Sequence, residues 1–220
     1  MAKLYVIDGT DGSGKQTQYE LLAKRLEAEG EKILRITFPN YDKPSSSLVK
    51  MYLSGEFGQK ANDISPYIAS TFYAVDRYAT YKTEFEEFYK NENGIILADR
   101  YVSANMIHQT GKIEDNKERD KFLDWVYDLE FNIYGIPKPD KVFFLNMPTD
   151  FAVELIKNRE NKFTNKKEKD IHERDKEHLL HAYNAACYAS KKFEWEEIMC
   201  IENNKLKTIE KIHEEIYLKV

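Results

Sequence analysis

Short apolar runs recur along the 220 residues, separated by longer stretches in which apolar positions return every three or four residues. The runs fall at residues 4–7, 33–36, 95–98, 142–145 and 198–201. Runs this short and continuous are those of strands buried on both faces. Between them the period changes to that of a helix. Tyr19, Leu22, Ala23 and Leu26 share one face, as do Phe122, Val126, Leu129 and Ile133. Leu206, Ile209, Ile212 and Ile216 form a third such set, and a long helix over residues 64–89 carries Ile68, Phe72 and Val75. Strands alternating with helices predict an α/β fold, a parallel five-stranded sheet covered on both faces. There is no internal repeat and no Pro/Gly/Ser-rich linker, so residues 1–220 read as one domain.

The first strand ends in a glycine-rich turn, and the turn opens a helix. Residues 8–18 read DGTDGSGKQTQ. Strand, glycine loop, lysine and helix in that order make a phosphate-binding loop. Glycines let successive backbone N–H groups curl around an anion, and the helix start adds unpaired donors and a positive dipole end. Gly9, Gly12, Ser13 and Gly14 therefore belong to a phosphate cradle. Lys15 adds a full charge that reaches the terminal phosphates of a nucleoside triphosphate. The motif G-x-x-x-x-G-K-[ST] has Ser or Thr as its last residue, where this chain has Gln16, with Thr17 following. Gln16 offers a side-chain carbonyl. Thr17 lies about 100° further round the helix.

Composition narrows the class. The formal net charge is −5, which argues against general nucleic-acid binding. Cys187 and Cys200 have neither metal-site nor disulfide-framework spacing and fit a reducing cytoplasm. The first residues run straight into a strand, so no secretory leader is expected. No apolar run approaches the roughly 20 residues that span a bilayer.

Ligands in open α/β sheets bind at the carboxyl ends of strands, which adds weight to residues placed there. The second strand is followed by Phe38-Pro39-Asn40-Tyr41 and the third by Asp99-Arg100-Tyr101. An Asp and an Arg side by side serve metal and phosphate respectively, or form a surface ion pair. Tyr73 and Arg77 lie four apart on the long helix, a ring and a guanidinium on one face that suit a nucleobase or plain packing. Residues 158–169, NRENKFTNKKEK, are polar and basic. They read either as a solvated loop or as a lid, about residues 158–170, that closes over phosphates. His172, His178 and His181 lack a further ligand at metal-site spacing.

Taken together these elements resemble the thymidylate kinase family. The resemblance rests on D-G-x-D-G-S-G-K-x-T-Q at residues 8–18, F-P-x-Y at 38–41, aromatic-x-x-D-R at 73–77, D-R-Y at 99–101 and D-x-x-E-x-D at 170–175. It implies the three-layer P-loop NTPase fold with a short lid, and transfer of the ATP γ-phosphoryl group to dTMP with Mg²⁺. It also implies a homodimer. Residue by residue, Lys15 would contact the transferred phosphoryl group, and Asp11 would lie by the sugar and the metal. Arg100 with Tyr41 would hold the acceptor phosphate. Arg77 would reach O4 of thymine beside Phe38 and Tyr73, with Asn105 and Gln109 approaching the base from the other side. His108 stands where a Tyr often guards against a ribose 2′-OH. Arg159 would sit near ATP, and Asp11, Asp99 and Glu173 would serve Mg²⁺. Lys162, Lys166 and Lys167 take the place of lid arginines, and lysine gives charge without a bidentate fork. Three other readings remain: a kinase for another (deoxy)nucleoside monophosphate, a deoxyribonucleoside kinase, and a nucleotide-dependent switch protein. A deoxyribonucleoside kinase would not need a phosphate clamp at Arg100. A GTP-dependent switch would carry a guanine-reading N-K-x-D, and none occurs.

Overall fold

In the computed structural model of the chain, residues 1–58, 60–157 and 176–220 are described. Five strands form one parallel sheet: β1 (Lys3–Asp8), β2 (Ile33–Thr37), β3 (Ile95–Asp99), β4 (Lys141–Asn146) and β5 (Glu196–Met199), in the order β2-β3-β1-β4-β5. The chain order reverses direction about β1, so the crevice at the carboxyl ends of β1 and β3 is the switch point where such sheets bind ligands.

Strand periodicity distributes the core between the two faces. Leu4 and Val6 of β1 point into one buried cluster, Tyr5 and Ile7 into the other. Leu4, Val6 and Ile7 are completely buried, and each such side chain contributes about 1.5–3 kcal/mol. Helix α1 (Lys15–Ala28) lays Tyr19, Leu22, Ala23 and Leu26 on the second face beside α9 (Ile209–Tyr217). The first face is covered by α5 (Val102–His108), α6 (Asn116–Tyr127) and α8 (Lys176–Lys192). Helices α2 (Ser47–Ser54) and α3 (Pro66–Thr80) enclose a smaller aromatic cluster next to the crevice.

Four expectations shift. The long helix is interrupted: α3 runs into a π turn at Tyr81–Phe85, and α4 (Glu86–Asn91) continues it. The helical set ending at Ile133 is broken in the same way, because α6 passes into a π turn at Asp128–Ile133. The wider turn inserts a residue, so Glu130 is fully buried and Ile133 is 68% exposed. The fifth strand lies two residues earlier than its apolar run, and Ile201 belongs to a short hairpin, β6 (Ile201–Glu202) with β7 (Lys205–Leu206). Leu206 is therefore on that hairpin and not on α9. Helix α7 (Thr149–Lys157) follows β4 and packs against the phosphate loop.

Candidate active site

The loop between β1 and α1 has the conformation its glycines permit. Gly12 and Gly14 both have φ of 81°, the left-handed region that glycine enters without steric penalty. At Gly12 there is a second requirement, because a Cβ would meet the Ala152 carbonyl of α7 at 2.4 Å. Lys15 folds back over the loop. Its Nζ donates to the Thr10 carbonyl at 3.0 Å and lies 3.6 Å from Asp11 Oδ1. Burial, and the nearby Arg100 guanidinium, lower the Lys15 pKa to about 8 against the opposing pull of Asp11, Asp99 and Asp8. Gln16 and Thr17 are both exposed, and both line the cavity over the loop.

Next to β1, strand β3 ends at Asp99, in register with Ile7. Arg100 then adopts φ of 66°, unusual for a residue with a Cβ, and its N–H donates to the Ile7 carbonyl at 3.1 Å. This turn sends its guanidinium across the strand ends toward the phosphate loop. There it donates to Asp11 Oδ1, and Nη1 donates to His108 Nε2 at 2.9 Å. Arginine only donates, so in this contact His108 Nε2 accepts. Burial alone would lower the Arg100 pKa. The carboxylates of Asp11, Asp8 and Asp99 outweigh it and keep the group charged. Asp8 closes the sheet end beneath both. Its carboxylate accepts from the Gly9 N–H at 2.8 Å and from the Ser103 hydroxyl at 2.6 Å, while burial raises its pKa.

Two cavities meet above these residues. The larger, about 680 Å³, lies over the phosphate loop. The smaller, about 80 Å³, runs down between α3 and α5. Both are lined by Asp11, Phe38, Pro39, Tyr41 and Arg100, so the shared mouth is where two anions can meet. The smaller cavity brings together Tyr73, Arg77, Asn105, His108 and Gln109 from two helices. Tyr41 and Tyr73 are half-buried in the aromatic cluster, Tyr73 edge-on to Tyr52 with ring centres 6.3 Å apart. The smaller cavity is thus walled at its mouth by Arg100.

Arg77 differs from the simple helix-face picture. It is 1% exposed, and its Nε and Nη2 each donate to Glu130 at 2.6 Å while Nη1 donates to the Tyr101 carbonyl at 3.2 Å. Gln109 is equally buried, and its Oε1 accepts no hydrogen bond among the described residues. Asp99 Oδ1 is also buried without a hydrogen-bond partner there. Arg159, Glu173, the lid segment with Lys162, Lys166 and Lys167, and His172 lie outside the described residues, as does the side chain of His178. His181 is on α8, 3.9 Å from Glu177. Among the described residues no three His, Cys, Asp or Glu side chains cluster closely enough to hold a metal by themselves.

Several site residues were given no site role by the sequence. Asp76, the aspartate of the aromatic-x-x-D-R motif, accepts from the Asn40 N–H at 2.8 Å and from Ser45 Oγ at 2.6 Å, fixing the loop that carries Phe38 and Tyr41. Leu155, Leu206 and Ile209 stand half-exposed around the larger cavity from α7, the hairpin and α9. They come from three separate parts of the chain, and no local pattern marks them as one wall.

A family model described as thymidylate kinase matches residues 7–216. A thymidylate kinase of Mycobacterium tuberculosis is 30% identical over 187 residues, 84% of this chain and 84% of its own. One of Fervidobacterium nodosum is 26% identical over 210 residues, 95% of this chain and 93% of its own. The structure of a thymidylate kinase from Candida albicans superposes with a TM-score of 0.69 at 17% identity, covering 99% of this chain and 90% of its own. That last likeness is one of fold. A phosphate loop, a second cavity facing it across Arg100, and a family match over nearly the whole length converge: the chain belongs to the thymidylate kinase family of ATP-dependent phosphotransferases.

Proposed function

We propose that this chain carries out the family's reaction, transfer of the ATP γ-phosphoryl group to dTMP to give dTDP, with the two nucleotides in the two cavities. The observation that carries this assignment is the shared mouth at Asp11 and Arg100, with a phosphate loop on one side and a smaller cavity lined by hydrogen-bonding side chains on the other. ATP lies over residues 9–17, its phosphates against the loop N–H groups and Lys15. The dTMP phosphate takes the Arg100 guanidinium, with the Tyr41 hydroxyl beside it. Arg100 donates to Asp11 at this mouth, so its guanidinium is already held where the acceptor phosphate would lie.

The base fits the far end of the smaller cavity. Three of the five Arg77 donors are engaged, leaving one on Nη1 and one on Nη2 for a carbonyl such as O4. Asn105 Nδ2 donates to the Ser70 carbonyl at 3.2 Å, which turns its Oδ1 the other way as an acceptor for N3–H. Gln109 Oε1 is a second buried acceptor of the same kind. Phe38 and Tyr73 supply the apolar walls.

The transfer itself needs alignment and charge neutralisation more than covalent help. The acceptor phosphate is largely ionised near pH 7, so no general base is required. Lys15 and Arg100 neutralise the charge that builds between the two phosphates. The carboxylate set fits a Mg²⁺ ion held mainly by substrate: Asp99 Oδ1 is a buried, unused acceptor, Asp11 is adjacent, and Mg²⁺ is usually held by one or two carboxylates plus phosphate oxygens and water. When bound, such an ion would offset phosphate charge. By resemblance alone, Arg159 and Glu173 join the donor side. The chain acts as one kinase domain, cytoplasmic, with both cysteines free.

A homodimer is part of this reading. Ile68, Val75 and Tyr78 form an exposed apolar stripe on one face of α3, with Ile133 close by in sequence to the π-turn residues that pack on Arg77. The test of the whole assignment is ATP consumption with dTMP, dUMP, dGMP and thymidine in parallel. Turnover with dTMP well above that with thymidine is expected. Thymidine as the better acceptor would assign the site to a nucleoside kinase, and slow hydrolysis indifferent to all four would remove the transfer reading.

A further inference from the structure

We infer that Glu130 is the positioning residue for base recognition: it fixes both Arg77 and Asn105 in the orientation that presents a donor beside an acceptor to the acceptor nucleobase. The inference rests on the dTMP assignment above and goes beyond it, since Glu130 lines neither cavity. Its position is set by the π turn at Asp128–Ile133. A regular continuation of α6 would direct Leu129 or Ile133 inward. The inserted residue turns the helix so that a carboxylate faces α3 and α5, and such bulges recur at functional sites.

The carboxylate makes a side-on, two-bond pair with Arg77 at 2.6 Å for each bond, and Oε1 lies 3.4 Å from Asn105 Nδ2. Arg77 and Glu130 side chains are both 1% exposed. A buried ion pair of this kind is a poor device for stability, because apolar residues of similar volume often serve as well or better. It is an effective device for geometry. With Nε and one Nη2 proton held by the carboxylate, the guanidinium plane is fixed and its two remaining donors have one available direction. The same oxygen holds the amide nitrogen of Asn105, so the amide cannot flip and its oxygen stays the acceptor. The pair is also neutral overall. Of the two arginines lining the cavity, Arg100 at the mouth is thus the better partner for a phosphate, and Arg77 is left for a neutral base.

The test compares two acceptors in wild type, Glu130→Gln and Glu130→Asp: dTMP, and the deoxyribonucleotide of 5-methylpyrimidin-2-one, which lacks both the 4-oxo group read by Arg77 and the N3 proton read by Asn105. Wild type should favour dTMP. In Glu130→Gln the KM for dTMP should rise about tenfold or more, while the KM for ATP and that for the 4-deoxo acceptor change by no more than about threefold. Glu130→Asp keeps the charge and shortens the reach, so it should fall between the two and recover part of the selectivity. It carries the same comparison should the Gln variant not fold. Equal losses for both acceptors and ATP would reduce Glu130 to a structural ion pair and overturn the inference, as would an unchanged KM for dTMP. If wild type itself used both acceptors equally, the reading of the base edge by Arg77 and Asn105 would fail first, an outcome distinct from failure of Glu130 alone.

Discussion

Lys15 shows how burial tunes a single group. Its ammonium is withdrawn from water and faces Arg100, and these two influences outweigh the surrounding carboxylates to bring the pKa to about 8. If Lys15 holds the ATP phosphates as proposed, it must be protonated to do so, and kcat/KM for ATP should decline as pH rises through about 8. Bound phosphates favour the charged form, so kcat itself should hold to higher pH. A pH profile of kcat/KM flat to pH 9.5 would contradict this. Lys15→Ala should lower kcat at least about tenfold, since the charge is lost at the reacting phosphates. Arg77→Ala should raise the KM for dTMP more than that for ATP, and equal effects would count against base reading. Lys15 and Arg77 both stand out in the sequence. Glu130 and Ser103 do not: they are ordinary polar residues until folding places them against Arg77 and Asp8.

The phosphate loop is a local element, and its Gly12 can be set against Gly30, just after α1, to separate two kinds of constraint. Gly12 and Gly30 share positive φ, 81° and 88°. A Cβ at Gly30 meets nothing within 4 Å, whereas one at Gly12 runs into α7. Gly30→Ala should therefore cost only the conformational penalty, about 1–2 kcal/mol, and leave the KM for ATP unchanged. Gly12→Ala should lower Tm further and raise that KM, because the loop or α7 must move. Matching Tm losses would show that the close approach has no effect. Helix boundaries show the limit of local reading. Period alone carries α3 into α4 and α6 to Ile133. The π turns that interrupt both arise where side chains must be buried against distant partners, as Glu130 is against Arg77.

For the molecule as a whole, the α3 stripe gives a measurable consequence. If Ile68, Val75 and Tyr78 cover one another across a two-fold axis, Val75→Asp should shift the protein toward monomer in sedimentation at micromolar concentration, with the fold retained by circular dichroism. A wild-type protein that sediments as monomer at those concentrations would dismiss the interface. Among the described residues, no helix is long and apolar enough to cross a membrane. The strand runs, the phosphate loop and the paired motifs were legible along the chain because each arises from neighbours in sequence: backbone period, glycine freedom, a lysine at a fixed offset from a turn. They suffice to specify a parallel sheet with a glycine loop at its centre, and they point to the proposed triphosphate cradle and acceptor-phosphate site. The order β2-β3-β1-β4-β5 is a different matter. It sets Ile7 against Asp99, swings Arg100 onto Asp11, and gathers Arg77, Asn105 and Glu130 from three helical segments into one buried hydrogen-bonded unit. Such an arrangement depends on contacts between residues dozens of positions apart, and linear spacing holds no record of those until the chain has packed.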